Sequence, residues 1–231
     1  MAEQRTQRTG RRVIVALEGI DRSGKTTQTE LLRASLEAAG ERVAVVSFPR
    51  YGSFFGRVVR ELLDGNATTT AATVDARSMA LWYALDRWQA MSGLDPAATV
   101  VLLNRYTLSN AVYQSCRVAE EDADGLFRWV IDLEYQQLGL QQPDLTVVLD
   151  VAADVSQARS HNVGQPGDRA ESPDVYERSA GLLARARSRY LEAPRMLGGI
   201  EVIACTDADG TLADPMVVHA QVAALVAAHR S

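Results

Sequence analysis

A chain of 231 residues with 47% hydrophobic side chains has enough apolar mass for one well-filled domain, and its net charge of −5 argues against a general nucleic-acid surface, which is usually basic. Its two cysteines, Cys116 and Cys205, lie far apart without metal-ligand spacing, and no apolar run reaches the length of a membrane span. This pattern excludes a disulfide scaffold, a cysteine-rich metal site and a helical membrane protein, and it suits a cytoplasmic protein with reduced thiols.

Residues 1–12 carry Arg5, Arg8, Arg11 and Arg12 but no apolar stretch, which reads as a flexible tail rather than a secretory signal. Residues 13–231 read as one domain. Its first segment, Arg12 to Glu18, is β-branched and apolar, as a strand buried on both faces must be. The segment runs into Gly19-Ile20-Asp21-Arg22-Ser23-Gly24-Lys25-Thr26-Thr27, which fits the pattern Gly, four residues, Gly-Lys-Ser/Thr. Lys25 is the one lysine in a chain with 23 arginines. An ammonium is a compact point charge, a guanidinium a wide planar fork, so the exception marks a narrow cradle that arginine would not fit. Thr26 to Ala39 then reads as a helix, with Leu31, Leu32 and Leu36 on one side and Gly40 past its end.

Strand, glycine loop and helix in this order make a site for a nucleoside triphosphate. Loop N–H groups and the helix N-terminus would hold the β-phosphate, Lys25 would bridge β- and γ-oxygens, and Thr26 would bind Mg²⁺. The plain alternative is a structural glycine turn without a ligand.

Further apolar runs follow at 42–48, 99–103, 145–151 and 201–205, with room for helices between them. Five such runs predict an α/β fold, a five-stranded parallel sheet with helices on both faces. Ligands on such sheets gather at the carboxyl ends of the strands, so the residues after each run become candidates. After the second run stands Phe48-Pro49-Arg50-Tyr51, where Arg50 suits a second anionic group or merely caps a strand at the surface. An arginine rather than a carboxylate there fits an acceptor that is already an anionic nucleophile, such as a nucleoside monophosphate.

The helix predicted from about Ala71 to Ser92 places Tyr83 and Arg87 four apart on one face, where they could hold a flat heterocycle or be core. After the third run, Arg105 sits at a strand end beside the glycine loop, followed by Ser109, with Asn110 and Tyr113 on one helical face. Ser160 to Pro173, with Gly164, Pro166 and Gly167, reads as a mobile lid, and Arg159 and Arg169 are either its phosphate-binding cations or solvated charges. Tyr176-Glu177-Arg178 is expected to open a helix after it, and the chain ends in a helix over 212–228. His161, His219 and His229 are too scattered to suggest a metal site.

Taken together, Glu18 to Gln28, Phe48-Pro49-Arg50-Tyr51, Ala84-Leu85-Asp86-Arg87, Arg105-Tyr106 with Ser109-Asn110 and Tyr113, and Tyr176-Glu177-Arg178 resemble the thymidylate (dTMP) kinase family from about Val13 to Pro194. The resemblance implies a P-loop nucleoside monophosphate kinase that moves the ATP γ-phosphoryl to dTMP, with Mg²⁺ and as a homodimer. It implies that Gly19 to Thr27 bind ATP and that Lys25, Arg22, Arg105 and Asp21 are catalytic. Phe48, Pro49, Arg50, Tyr51, Tyr83, Arg87, Arg105, Ser109, Asn110, Tyr113 and Tyr176 would then bind the acceptor, with Tyr83 on the pyrimidine and Arg87 at its O4. Thr26, Asp21 and Glu177 would meet the metal, and the helix around Leu126 to Leu138 could supply the dimer interface.

One position departs from the family: Asn104 stands where it has aspartate before the arginine. Asparagine keeps a carbonyl oxygen but loses the charge that attracts a cation. The departure implies weaker catalysis, compensation by Asp21, Asp150 or Glu177, or a changed substrate. The rival readings are therefore a kinase for another or 5-modified pyrimidine deoxynucleotide, and a nucleotide-binding protein without turnover.

Overall fold

The computed structural model describes residues 11–65, 69–156, 176, 179–206 and 210–230. Its centre is a sheet of β1 (Val13–Glu18), β2 (Val43–Ser47), β3 (Val100–Asn104), β4 (Leu145–Asp150) and β5 (Ile200–Ala204). All pairs are parallel and the order is β2-β3-β1-β4-β5. The fold class expected from the apolar runs is therefore the one observed, with β1 at the middle.

Side chains of β1 alternate between two cores, as the two-residue period of a strand requires. Val15 and Leu17 pack with Leu32 and Leu36 of α1 (Lys25–Ala38) and with Val218, Val222 and Val226 of the last helix. Ile14 and Ala16 pack on the opposite face with Phe48, Ala90 and Tyr106. That second face also carries α2 (Phe54–Asp64), α3 (Ala76–Met91), α4 (Thr107–Ser115), α5 (Glu120–Asp132) and α6 (Ala180–Met196), which share one core. The last helix is α7 (Pro215–Arg230). No helix among the described residues is long and apolar enough to cross a membrane.

Several boundaries differ from the sequence reading for local reasons. The helix expected from Ala71 starts at Ala76, because the Asp75 side chain accepts from the N–H of Arg77 and Ser78 and caps it there. The helix expected to open at Tyr176 starts at Ala180, capped by Ser179, and Tyr176 itself lies in a turn. The helix expected over 126–138 ends as α5 and continues as a single π-helical turn, Leu133–Gln137. Its apolar residues Leu126, Phe127, Val130 and Leu133 are buried in the chain's own core, so they are spent there rather than on a dimer face. At the tail, Arg11 pairs with Asp144 and Arg12 donates to the carbonyls of Asp95 and Ala98. The lid expected at about 160–173 lies outside the described residues.

The sequence reading has no counterpart to α2, whose position rests on a close backbone contact. Ser53 caps it by accepting from the N–H of Gly56. A Cβ on Gly56 would come 1.9 Å from the Arg50 carbonyl oxygen. The Arg50 N–H in turn donates to buried Asp86 at 2.7 Å, and Asp86 also takes the Ser53 hydroxyl at 2.6 Å. In an exposed helix Gly→Ala gains about 1 kcal/mol. Here Gly56→Ala must push helix and turn apart, and we expect a net loss of about 1–3 kcal/mol in denaturant unfolding.

Candidate active site

The glycine loop leaves the carboxyl end of the central strand and turns directly into α1. Gly19 has φ 134°, and a Cβ there would meet the Leu149 carbonyl at 2.6 Å and the Ser23 hydroxyl at 2.8 Å, so only glycine fits. Gly24 at φ 92° is the N-cap of α1, and no side chain caps the helix. Its first-turn N–H groups therefore face outward as a ready anion site. Lys25 is buried, with Nζ donating to the carbonyls of Ile20 at 2.6 Å and Gly19 at 3.1 Å. The ammonium is held inside the loop that a phosphate would occupy. Thr26 and Thr27 are exposed at the start of α1.

Register brings the ends of three strands level with this loop. Leu17 and Ser47 both stand opposite Asn104, and the Arg105 N–H donates to the Leu17 carbonyl. Arg105 lies at φ 64° and Arg22 at φ 57°, a left-handed region that costs a side-chain-bearing residue about 1–2 kcal/mol. The bend points the Arg105 guanidinium back at the loop, where it pairs with Asp21 and donates to Gly19 O and Ser109 Oγ, each at 3.3 Å. Tyr113 donates to the other Asp21 oxygen at 2.8 Å. Burial works to raise the Asp21 pKa, but Arg105, Lys25 and the Tyr113 hydroxyl outweigh it and hold the carboxyl below its ordinary 3.8. Burial likewise opposes the charge on Arg105, and Asp21 overcomes it, leaving a fixed cation. Burial first and Asp21 second push the Tyr113 phenol well above its usual range, so it stays a donor.

Asp21, Arg105, Ser109 and Tyr113 form one end of a cleft with about 530 Å³ of space, partly open to solvent. Phe48, Pro49, Tyr51, Tyr83, Arg87, Asn110 and Tyr176 line the rest, joined by Leu63 and Gln114. Arg50 is half-buried and is not on this wall, its backbone being tied to Asp86. Glu177, Arg159 and Arg169 lie outside the described residues. Arg87 proves to be both core and cleft wall. It gives Nε and Nη2 to Glu134, each at 2.5 Å, with both side chains almost wholly buried. Burial works to lower the Arg87 pKa, and Glu134 outweighs it, so the guanidinium stays charged.

Three polar residues at or behind the cleft have no assigned role in the sequence reading. Glu18, fully buried, accepts from the N–H of Tyr106 at 2.7 Å and of Ser109 at 3.1 Å, and from the hydroxyls of Ser109 and Tyr190. Glu134 accepts from Arg87, Thr107 and Asn110. Gln114, one turn beyond Asn110, is a buried residue that lines the cleft. Charged residues within apolar runs are the available signal, because burial of a carboxylate demands partners. Asn104 donates from Nδ2 to the Thr26 hydroxyl at 3.2 Å. Asp150 accepts from Arg187 with both carboxylate oxygens.

A sequence profile described as Thymidylate kinase matches residues 17–206. The thymidylate kinase of Mycobacterium tuberculosis strain H37Rv is 38% identical over 215 residues, which span 89% of this chain and 99% of that protein. That of Rhodopirellula baltica is 32% identical over 200 residues, spanning 86% and 75%. The solved thymidylate kinase of Candida albicans shares the fold, with a TM-score of 0.71 at 18% identity over 96% of this chain and 94% of that one.

Proposed function

The chain belongs to the thymidylate kinase family, and from that premise we propose how its own residues carry the transfer of the ATP γ-phosphoryl to dTMP. The protein is an ATP-dependent phosphotransferase whose product is dTDP. An oxygen of the acceptor phosphate attacks the γ-phosphorus in line, a new P–O bond forms as the bond to the β-phosphate oxygen breaks, and ADP leaves. The acceptor is already an anion, so no base is needed to take a proton. Lys25 exchanges its loop carbonyls for β- and γ-oxygens, while Arg22 and Arg105 neutralise charge gathering on the transferred group. Asp21 and Tyr113 keep Arg105 aimed. On the family resemblance we assign Glu177 to the metal and Arg159 and Arg169 to the phosphates.

Mg²⁺ suits an all-oxygen donor set with few protein ligands, and the Thr26 hydroxyl and the ionised Asp21 carboxylate are of that kind. Thr26 and Asp21 would hold it, and it would supply positive charge that lowers the negative charge on the phosphates.

One observation supports thymine as the base. Asn110 Oδ1 and Gln114 Nε2 are buried polar atoms without a hydrogen-bond partner among the described residues, and both residues line the cleft. They are four apart on α4 and so share a face. An acceptor beside a donor matches the N3–H and adjoining carbonyl of thymine, with Tyr83 against the ring and Arg87 at the second carbonyl. Cytosine, with an acceptor at N3 and an amino group at C4, would set acceptor on acceptor at Asn110 and donor on donor at Arg87, and unpaired buried polar groups are expensive.

We also read the chain as a cytoplasmic homodimer. Leu81 and Trp88 on α3, seven apart, are 41% and 46% exposed, and they make a better-placed contact face than α5. Light scattering should give twice the monomer mass, and a monomer at micromolar concentration would refute this.

ADP formation over dTMP, dUMP, dCMP and dGMP should be fastest with dTMP. Lys25→Met should fold normally and lose turnover by about 10²–10³-fold; normal turnover in that variant would sink the mechanism. Asn104→Asp should lower the half-saturating Mg²⁺ concentration by about tenfold, since a carboxylate accepts the Thr26 proton and adds charge. An unchanged Mg²⁺ titration would show that position 104 does not act on the metal.

A further inference from the structure

Arg117 follows the end of α4 and does not line the cleft, yet it joins three elements behind it. Its Nη1 donates to Gln114 Oε1 at 2.6 Å, within the last turn of α4. Its Nη2 donates to the carbonyl of Val74, the residue before the N-cap of α3. Held by two nitrogens, the guanidinium lies 5.4 Å over the ring of Tyr176, in the turn that precedes α6. A planar fork fixed at two points is well located, and a phenol face attracts a cation most strongly away from water. Tyr176 is buried. It stacks on Tyr113, with ring centroids 6.1 Å apart and planes 18° from parallel. Tyr190 meets Tyr113 edge-on at 6.5 Å. The Tyr113 ring so placed sends its hydroxyl to Asp21 at 2.8 Å, and the Arg105 guanidinium stands 5.5 Å from its centre. Arg117, Tyr176, Tyr113 and Arg105 therefore follow one another in contact, with a cation at each end.

We propose that Arg117 is a positioning residue for the phosphate end of the cleft, holding Tyr176 at Tyr113 so that Asp21 and Arg105 stay set for the acceptor. The group it serves is the phosphate of a nucleoside monophosphate, and the inference rests on the reading of Arg105 as a cation that meets that acceptor. A phenol oxygen sits at the far end of a rigid ring, so a small tilt of Tyr113 carries it out of reach of Asp21. Asp21 then loses a donor, and the pair that aims Arg105 loosens with it. Arg117 acts on the site without touching substrate.

The test uses the full chain and measures Kd by calorimetry for dTMP and for thymidine, which lacks the phosphate, in the wild type and Arg117→Met. The wild type should bind dTMP about tenfold or more tighter than thymidine. Equal binding of the two would overturn the phosphate reading and this proposal with it. Arg117→Met should weaken dTMP by about fivefold or more and thymidine by less than about twofold. The loss should persist in about 1 M salt, where a direct long-range pull of Arg117 on the phosphate is screened within about 3 Å. Unchanged dTMP binding, a parallel loss of both ligands, or a loss that vanishes in high salt overturns the positioning role alone. Arg117 is half-buried, and its removal frees the Val74 carbonyl. If Arg117→Met does not fold, Arg117→Gln keeps a donor for that carbonyl while removing the cation, and the same selective loss is required of it.

Discussion

The carboxylate of Glu18 leaves the last position of β1 and enters the N-terminus of α4, where it accepts from the N–H of Tyr106 and Ser109. α4 has no capping side chain of its own, and every residue from Thr107 to Ser115 is buried. Its first-turn donors would otherwise be orphaned away from water, at about 1–3 kcal/mol for each group. Because Glu18 immediately precedes Gly19, the side chain that completes α4 also sets where the glycine loop begins. The phosphate end and the base wall are thus registered by one residue, and Tyr190 ties α6 to the same point. Arg105 depends on it too, since its partner Ser109 is held by Glu18.

Much of this was legible in the sequence where one residue type has one physical use. The five apolar runs gave the sheet, and Gly19, Gly24 and Lys25 gave the loop, because backbone conformation and a narrow cradle admit few alternatives. α4 was less legible as a helix with a face, since it is buried all round and offers no amphipathic stripe. α2 was missed because its start depends on Gly56 approaching the Arg50 backbone, a contact between residues with no periodic signature. Arg87 could be read as core or as ligand contact, and it is both buried and on the cleft wall. Glu134 was invisible because its meaning lies in the buried groups it pairs, Arg87, Thr107 and Asn110, which come from two other helices.

Around the loop the molecule holds several groups in poised rather than relaxed states. Arg22 and Arg105 occupy left-handed backbone, and Lys25 is satisfied by the loop's own carbonyls. Arg105 is kept there by its N–H bond to the Leu17 carbonyl and by the Asp21 pair, which determine its place more strongly than local preference does. A phosphate arriving at the loop finds cations already desolvated and aimed, so little reorganisation remains for the transition state. At the end of β3, the uncharged Asn104 turns its amide to the Thr26 hydroxyl.

The strand order also governs how the chain is born. β1 pairs with β3 and β4 and never with β2, so its first hydrogen-bonded neighbour is not made until residue 104 and its second not until residue 150. At about 5–20 residues per second, the apolar segment Val13–Glu18 spends roughly 5–20 s on the ribosome without a strand beside it. The strand that carries the phosphate loop is therefore the longest-exposed hydrophobic segment of the nascent sheet, and the one that folding helpers have most time to meet.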